Sequence, residues 1–344
     1  MLFPDGSYTH SVRACRCAKQ DIPEVEAVIA ALTPRLEQWW VDAIEDILRR
    51  GDLLLGVEEL TAAPLREIDR LSGRTPDGRT RIDIENELER LMLRQLRDAV
   101  TSFAPTLARE IEEARDTLLL DAALALGLSL SEERLRVIEA RLGPLRAGAV
   151  QDLQTLMLGR IDTRTPEILE AVRGLVRAAV RPSTVTPVVG APSVVQTLRD
   201  ELKAILGASS PRQWVPFVTD QWSYRWFNIG QFVSARDSGL TLIRAMNNPP
   251  RGPDAKTTAF CRWVHRRVID VGRAEQQIRE HVRASLAGDI DALMSNWPLL
   301  PSSIAEDKGP TAEASFALNF RRMGLPPYHG RCRTVAIPFR IRRR

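Results

Sequence analysis

Cysteine is scarce in this chain. There are four, Cys15, Cys17, Cys261 and Cys332, in 344 residues. That is too few for a disulfide scaffold at this length. Aromatic residues make up only 6%, and five of the seven tryptophans lie after residue 210. Two regions with different packing are expected from that skew. No long apolar run is present. The most apolar stretch, 117–130, is broken by Asp121 and falls short of the roughly 20 residues that span a bilayer. Residues 1–20 lack a basic stretch followed by an apolar one, so no secretory signal is read there. A soluble protein made in the cytoplasm, without membrane contact, is the expectation. Three catalytic signatures are missing as well: a Gly-rich phosphate loop, a His-Glu-x-x-His pair and a Gly-x-Ser-x-Gly elbow. Strand-like alternation is missing before residue 180.

What is present is helical periodicity over an ordinary globular composition, 44% hydrophobic and 27% charged. A helix starts near Asp21, with Pro23 in its first turn and Glu24 three residues after the cap. Val25, Ile29, Leu32, Leu36, Trp39 and Trp40 follow at helical spacing, and Pro34 predicts a kink or a division. Ile84, Leu88, Met92, Leu96 and Val100 recur every four residues and predict a second helix over 82–103. A third is expected from Pro105 to about Leu126, a fourth after the Ser131 cap, and a fifth from Pro166 to before Pro182. Residues 182–195, PSTVTPVVGAPSVV, hold three prolines and a glycine, which no helix tolerates. Val185 to Val189 could form a short strand there. The fold expected is mainly α: a helical bundle or arm over 1–181, a linker at 182–195, and a smaller α+β domain over 196–344.

Past the linker, Gln196–Leu206 reads as helix, and Pro211 opens another. Trp214, Val218, Trp222, Trp226, Ile229 and Val233 fall three or four residues apart on one face of that second helix. Base stacking would need exposed indoles, so this stripe reads as core. The net charge of +4 is mild. The basic excess is local, with Arg331, Arg333, Arg340, Arg342, Arg343 and Arg344 in the last fourteen residues. Such a tail is either a solvated end or a nonspecific contact for DNA phosphates through Arg340, Arg342, Arg343 and Arg344.

Two blocks carry chemistry: DAKTTAFCRWVHRRVIDV at 254–271 and LPPYHGRCRTVAIP at 325–338. Cys261 and His265, four apart, share one face of a helix. His329 and Cys332 flank a turn marked by Pro327 and Gly330. Two sulfurs and two imidazoles make a tetrahedral zinc ligand set, Cys261, His265, His329 and Cys332. A structural zinc there would tie the two blocks together. Other readings of the same residues stay open. Cys261 can be a small buried hydrophobe and His329 a turn cap. Cys261 and Cys332 can approach as a disulfide, which a cytoplasmic product disfavours. A Cys–His pair can also act as an activated nucleophile, with His265 as base and Asp254 as orienter.

These blocks, in this order, resemble the C-terminal domain of the Mu F-like minor head proteins of tailed phages. Asp254, Thr257, Cys261, Val264 and His265 match the first family pattern. Pro326, Pro327, His329, Cys332 and Arg333 match its Pro-Pro-x-His-x-x-Cys-Arg signature. Phe227, Asn228 and Gly230 supply the upstream aromatic-Asn-x-Gly element. Arg266 stands where the family usually has glycine. The interval between the blocks, with a helix expected over 273–286, reads as an insertion. The resemblance covers about residues 210–340. It implies a minor structural protein of the virion rather than an enzyme. The N-terminal helices would attach to the portal or to capsid or scaffold proteins, and packaged DNA is a further partner. The alternative is a metal- or cysteine-dependent hydrolase using the Cys261/His265/His329/Cys332 cluster.

Overall fold

The computed structural model describes residues 22–49, 81–124, 148–159, 211–237, 242–247, 252–255, 257–330 and 332–338, together with isolated positions at 136, 140, 161, 166, 170 and 239. The chain is mainly helical with one small sheet. In order, the elements are α1 (Pro23–Arg49), α2 (Arg81–Thr101), α3 (Pro105–Leu124), α4 (Pro211–Asp237), β1 (Ile243–Asn247), α5 (Ala259–Val264), β2 (Val268–Ile269), α6 (Val271–Ala287), α7 (Ile290–Asn296), α8 (Ser302–Ala305), α9 (Ala312–Arg322) and β3 (Thr334–Pro338). Residues 149–159 are helical too. No helix among the described residues is long and apolar enough to cross a membrane.

Two compact units emerge, and neither is one continuous segment. The first comprises Met1–Pro34, Ala104–Met157 and Pro216–Arg344; the second comprises Arg35–Phe103 and Leu158–Val215. A division at 182–195 treats the chain as two consecutive blocks, and that linker lies outside the described residues, as do the short strand expected at 185–189 and the helix at 196–206. Within the first unit, the buried Asp152 of 149–159 is met from α4 and α6. α1 runs unbroken through Pro34, so the proline does not divide it. Leu32 and Leu36, on either side, are both buried, and such packing offsets the lost backbone hydrogen bond.

α4 is buried on every side from Val215 to Phe232. Val218, Trp222, Trp226 and Ile229 of the expected stripe are buried, as their spacing predicts, Val233 is half-buried, and the Trp214 side chain lies outside the described residues. The polar residues of α4 are enclosed as well, and each needs a partner. Trp222 Nε1 donates to Ala149 O at 3.0 Å, and Trp226 Nε1 to Asp152 Oδ2 at 3.1 Å. Arg225 Nη1 lies 3.3 Å from Asp152 Oδ1. His281 Nε2, from α6, lies 3.1 Å from the same oxygen. Trp297 covers this group, edge-on to His281 at 5.1 Å and 5.3 Å from the Arg225 guanidinium. α3 packs against α4 at Gly230. A Cβ there would stand 2.8 Å from Ala122 Cβ and 3.1 Å from Leu119 Cα.

The sheet has order β2-β1-β3, all antiparallel. Ile243 pairs with Ile269 on one side and Pro338 on the other. Ile243, Ala245, Ile269 and Ala336 are buried, while Val268, opposite Arg244, is 51% exposed. Asn228 staples α4 to this sheet: its Oδ1 accepts from Ala336 N at 2.7 Å. Asp270 caps α6, accepting from Arg273 N at 2.6 Å, and Gly288 ends it at φ 63°, the left-handed conformation glycine adopts freely.

Candidate metal centre

α5 is six residues long and depends on its cap. The Thr258 hydroxyl accepts from Cys261 N at 3.2 Å, which sets the first turn and aims Cys261 inward. From the other block, Pro327 O receives the Trp297 indole N–H at 3.3 Å, and Tyr328 O receives the Leu300 N–H at 2.8 Å. The same loop closes on itself, with Cys332 N donating to His329 O at 3.2 Å. Against α5, Tyr328 packs edge-on to Phe260, with ring centroids 5.6 Å apart.

Cys261, His329 and Cys332 meet there. Their ligand atoms all lie within 4.8 Å of one another. Cys261 Sγ is 3.7 Å from Cys332 Sγ and 2.8 Å from His329 Nε2. All three side chains are buried, at 2%, 3% and 1% exposure for Cys261, His329 and Cys332. His329 Nδ1 lies 2.9 Å from Gly330 O. A carbonyl only accepts, so Nδ1 carries the proton and the Nε2 lone pair faces the sulfurs. That second hydrogen bond orients a ligating imidazole in metal sites generally. Two hydroxyls border the group: Thr258 Oγ1 at 3.2 Å from His329 Nε2, and Thr334 Oγ1 at 3.5 Å from Cys261 Sγ.

This Cys/His/Cys group is compatible with a metal ion. Zinc–sulfur bonds of about 2.3 Å at tetrahedral angles put two sulfurs about 3.8 Å apart. The observed 3.7 Å fits that edge. The 2.8 Å approach of Cys261 to His329 is closer than the corresponding sulfur–nitrogen edge of about 3.6 Å. Both cysteines are free thiols, and 3.7 Å is far from the roughly 2.05 Å of a disulfide. Burial, then the adjacent Cys332 sulfur, pushes the Cys261 thiol well up. Burial alone would raise Cys332 too, but the hydrogen bond from Cys261 and the neighbouring His329 ring outweigh it and hold Cys332 low. The pair thus favours one proton and one thiolate, and thiolate is the ligating form.

His265 is not part of the group. α5 ends at Val264, and His265 turns out of the helix at φ −55°, ψ 125°. The four-residue spacing places two side chains on one face only while the helix continues. Instead, His265 Nδ1 accepts from Asn247 N at 3.1 Å. Burial, then the charges of Arg266 and Arg244, lowers its pKa. Arg266 follows at φ 68°, so the tight turn forms with arginine in the left-handed region. Asp254 bonds Thr257 in its own turn, with the Thr257 hydroxyl donating to Asp254 Oδ1 at 2.9 Å.

Several contributors carry no motif. Asn247 Nδ2 donates to Cys261 O, and the Thr334 hydroxyl donates to Asn247 Oδ1. Asn247 therefore joins β1, α5 and β3 around the cysteines. Thr258 alone has a readable signal, a threonine directly before an apolar run. Arg333 does not belong to a solvated tail. Its guanidinium pairs with Glu26 and, at 3.1 Å, with Asp220, and it lies over the Tyr224 ring. Arg340, Arg342, Arg343 and Arg344 lie outside the described residues, as do Cys15 and Cys17. No protein-family model, no curated protein and no solved structure matches the chain.

Proposed function

We propose that this protein is a minor structural component of a tailed-phage head, associated with the portal or the inner capsid and assisting head assembly or DNA packaging and ejection. One observation carries the reading. The three elements of the Mu F-like resemblance, far apart along the chain, meet around a single buried cluster. Asn228 grips β3, Cys261 faces Cys332, and His329 closes on both blocks. Blocks matched by chance have no reason to assemble this way. In this reading Cys261, His329 and Cys332 hold a structural zinc that ties the blocks together. The N-terminal helices contact portal, capsid or scaffold proteins.

A genetic test addresses the function. Disrupting this gene in its phage or inducible prophage should leave heads unassembled or without DNA, with rescue by the gene in trans. Normal infectious heads from the disrupted phage contradict the proposal. Zinc is tested by elemental analysis of protein purified without added metal. About one zinc per chain is expected, falling to near zero in Cys332→Ser.

The direct Cys261–His329 contact favours a second reading, a cysteine hydrolase. Burial of both groups works against it, because a nucleophile must reach its substrate. Labelling of Cys261 in the folded protein by a small electrophile, faster than labelling of free cysteine, would revive it.

A further inference from the structure

The outer side of the metal-site element carries a separate feature. Between Ala259 and Ile269 there are three arginines and one histidine and no carboxylate. Cys261 and Val264 of this stretch point inward, whereas Arg262, Arg266 and Arg267 are exposed. The flanking acids are already engaged: Asp254 bonds Thr257, and Asp270 caps α6.

Two of these arginines are held in place without being neutralised. Arg262 donates from Nε to Thr257 O at 3.0 Å and from Nη2 to Ala255 O at 2.9 Å. Arg267 donates from Nε to Trp263 O at 2.8 Å, and its guanidinium lies 3.6 Å from the Trp263 ring centre. Carbonyls and an indole fix a guanidinium but leave its charge uncompensated. An exposed arginine normally loses rotamer entropy when it binds, and that cost is lowered here in advance. The third, Arg266, projects from a left-handed turn.

We infer that this edge, formed by Arg262, Arg266 and Arg267, contacts the phosphate backbone of double-stranded DNA without reading its sequence. Guanidinium forks match phosphate oxygens, and positioned cations without carboxylate partners provide the counterion-release term that drives such binding. The inference deepens the head-protein reading by giving packaged DNA a contact surface on the folded domain, separate from the arginine-rich segment after Pro338.

The test is fluorescence anisotropy of the full chain with a labelled duplex of about 30 base pairs, between about 50 and 200 mM salt. Three variants accompany the wild type: Arg262→Gln/Arg266→Gly/Arg267→Gln, Arg266→Gly alone, and Arg340→Gln/Arg342→Gln/Arg343→Gln/Arg344→Gln. Glycine keeps the left-handed turn at 266, so the single variant remains informative if the triple one fails to fold. The triple variant should bind about a hundredfold more weakly near 100 mM salt, with a log–log salt slope shallower by about 3. Arg266→Gly alone should lower the slope by about 1. Wild type that does not bind at the lowest salt overturns the inference. So does a folded triple variant that binds like wild type, or an Arg266→Gly variant that does so when the triple one does not fold. None of these outcomes bears on whether the protein belongs to heads, which the gene disruption decides separately.

Discussion

Asp152→Asn should be among the most damaging single substitutions in the first unit. Asp152 is fully buried, and so are the two side chains that meet it, Arg225 at 1% and His281 at 0% exposure. Asparagine keeps the shape and removes the charge. Arg225 stays charged at any accessible pH. Breaking a buried ion pair from one side costs about 3–5 kcal/mol, because the remaining charge loses its countercharge. Guanidinium unfolding followed by tryptophan fluorescence reads this directly, since Trp226 and Trp297 touch the network. Adding Arg225→Met removes the charge that faced Asp152 and should restore part of the loss. The acid response gives a second readout. Burial alone would raise the Asp152 carboxyl, but His281, then Arg225 and the Trp226 N–H, outweigh it and hold it low. A carboxyl lowered by folding contributes stability above its unfolded pKa, about 3.9, and loses it as pH falls through the folded value. Wild type should therefore lose stability below about pH 4 by a component that Asp152→Asn lacks. A single-variant loss under about 1 kcal/mol, the size of an exposed ion pair, would refute the reasoning.

Three further outcomes follow from the geometry. Gly230→Ala forces a methyl against Ala122 and Leu119 and should cost about 1–3 kcal/mol in thermal or chemical unfolding. Arg333→Gln removes the cation that pairs with Glu26 and Asp220, and a loss of about 2 kcal/mol is expected, with Arg333→Lys recovering only part of it. His265→Ala should retain zinc in elemental analysis, whereas His329→Ala should lose it; equal loss in both would return His265 to the ligand set.

The helices are legible where one signal dominates. An apolar repeat every four residues locates α2, and the helix expected over 273–286 lies inside α6, whose Asp270 cap and Gly288 stop the structure adds. The indole spacing in α4 correctly indicates core. Cys261, His329 and Cys332 stand out because sulfur and imidazole at short spacing are rare in a chain with four of each. His265 is misplaced by its spacing, which assumes a continuing helix, and α5 stops one residue earlier. Arg333 reads as tail because its partners, Glu26 and Asp220, lie far away in sequence. Asp152 is invisible for the same reason. A lone aspartate in an amphipathic helix looks like a solvated charge until α4 and α6 close over it. Strand β1 is five residues long, too short for alternation to stand out.

Quantitative mass spectrometry of purified particles, with the portal protein as internal standard, tests the central claim most directly. This chain is expected in mature particles or procapsids at a low, reproducible copy number, close to or below that of the portal. Its absence from both would contradict the account.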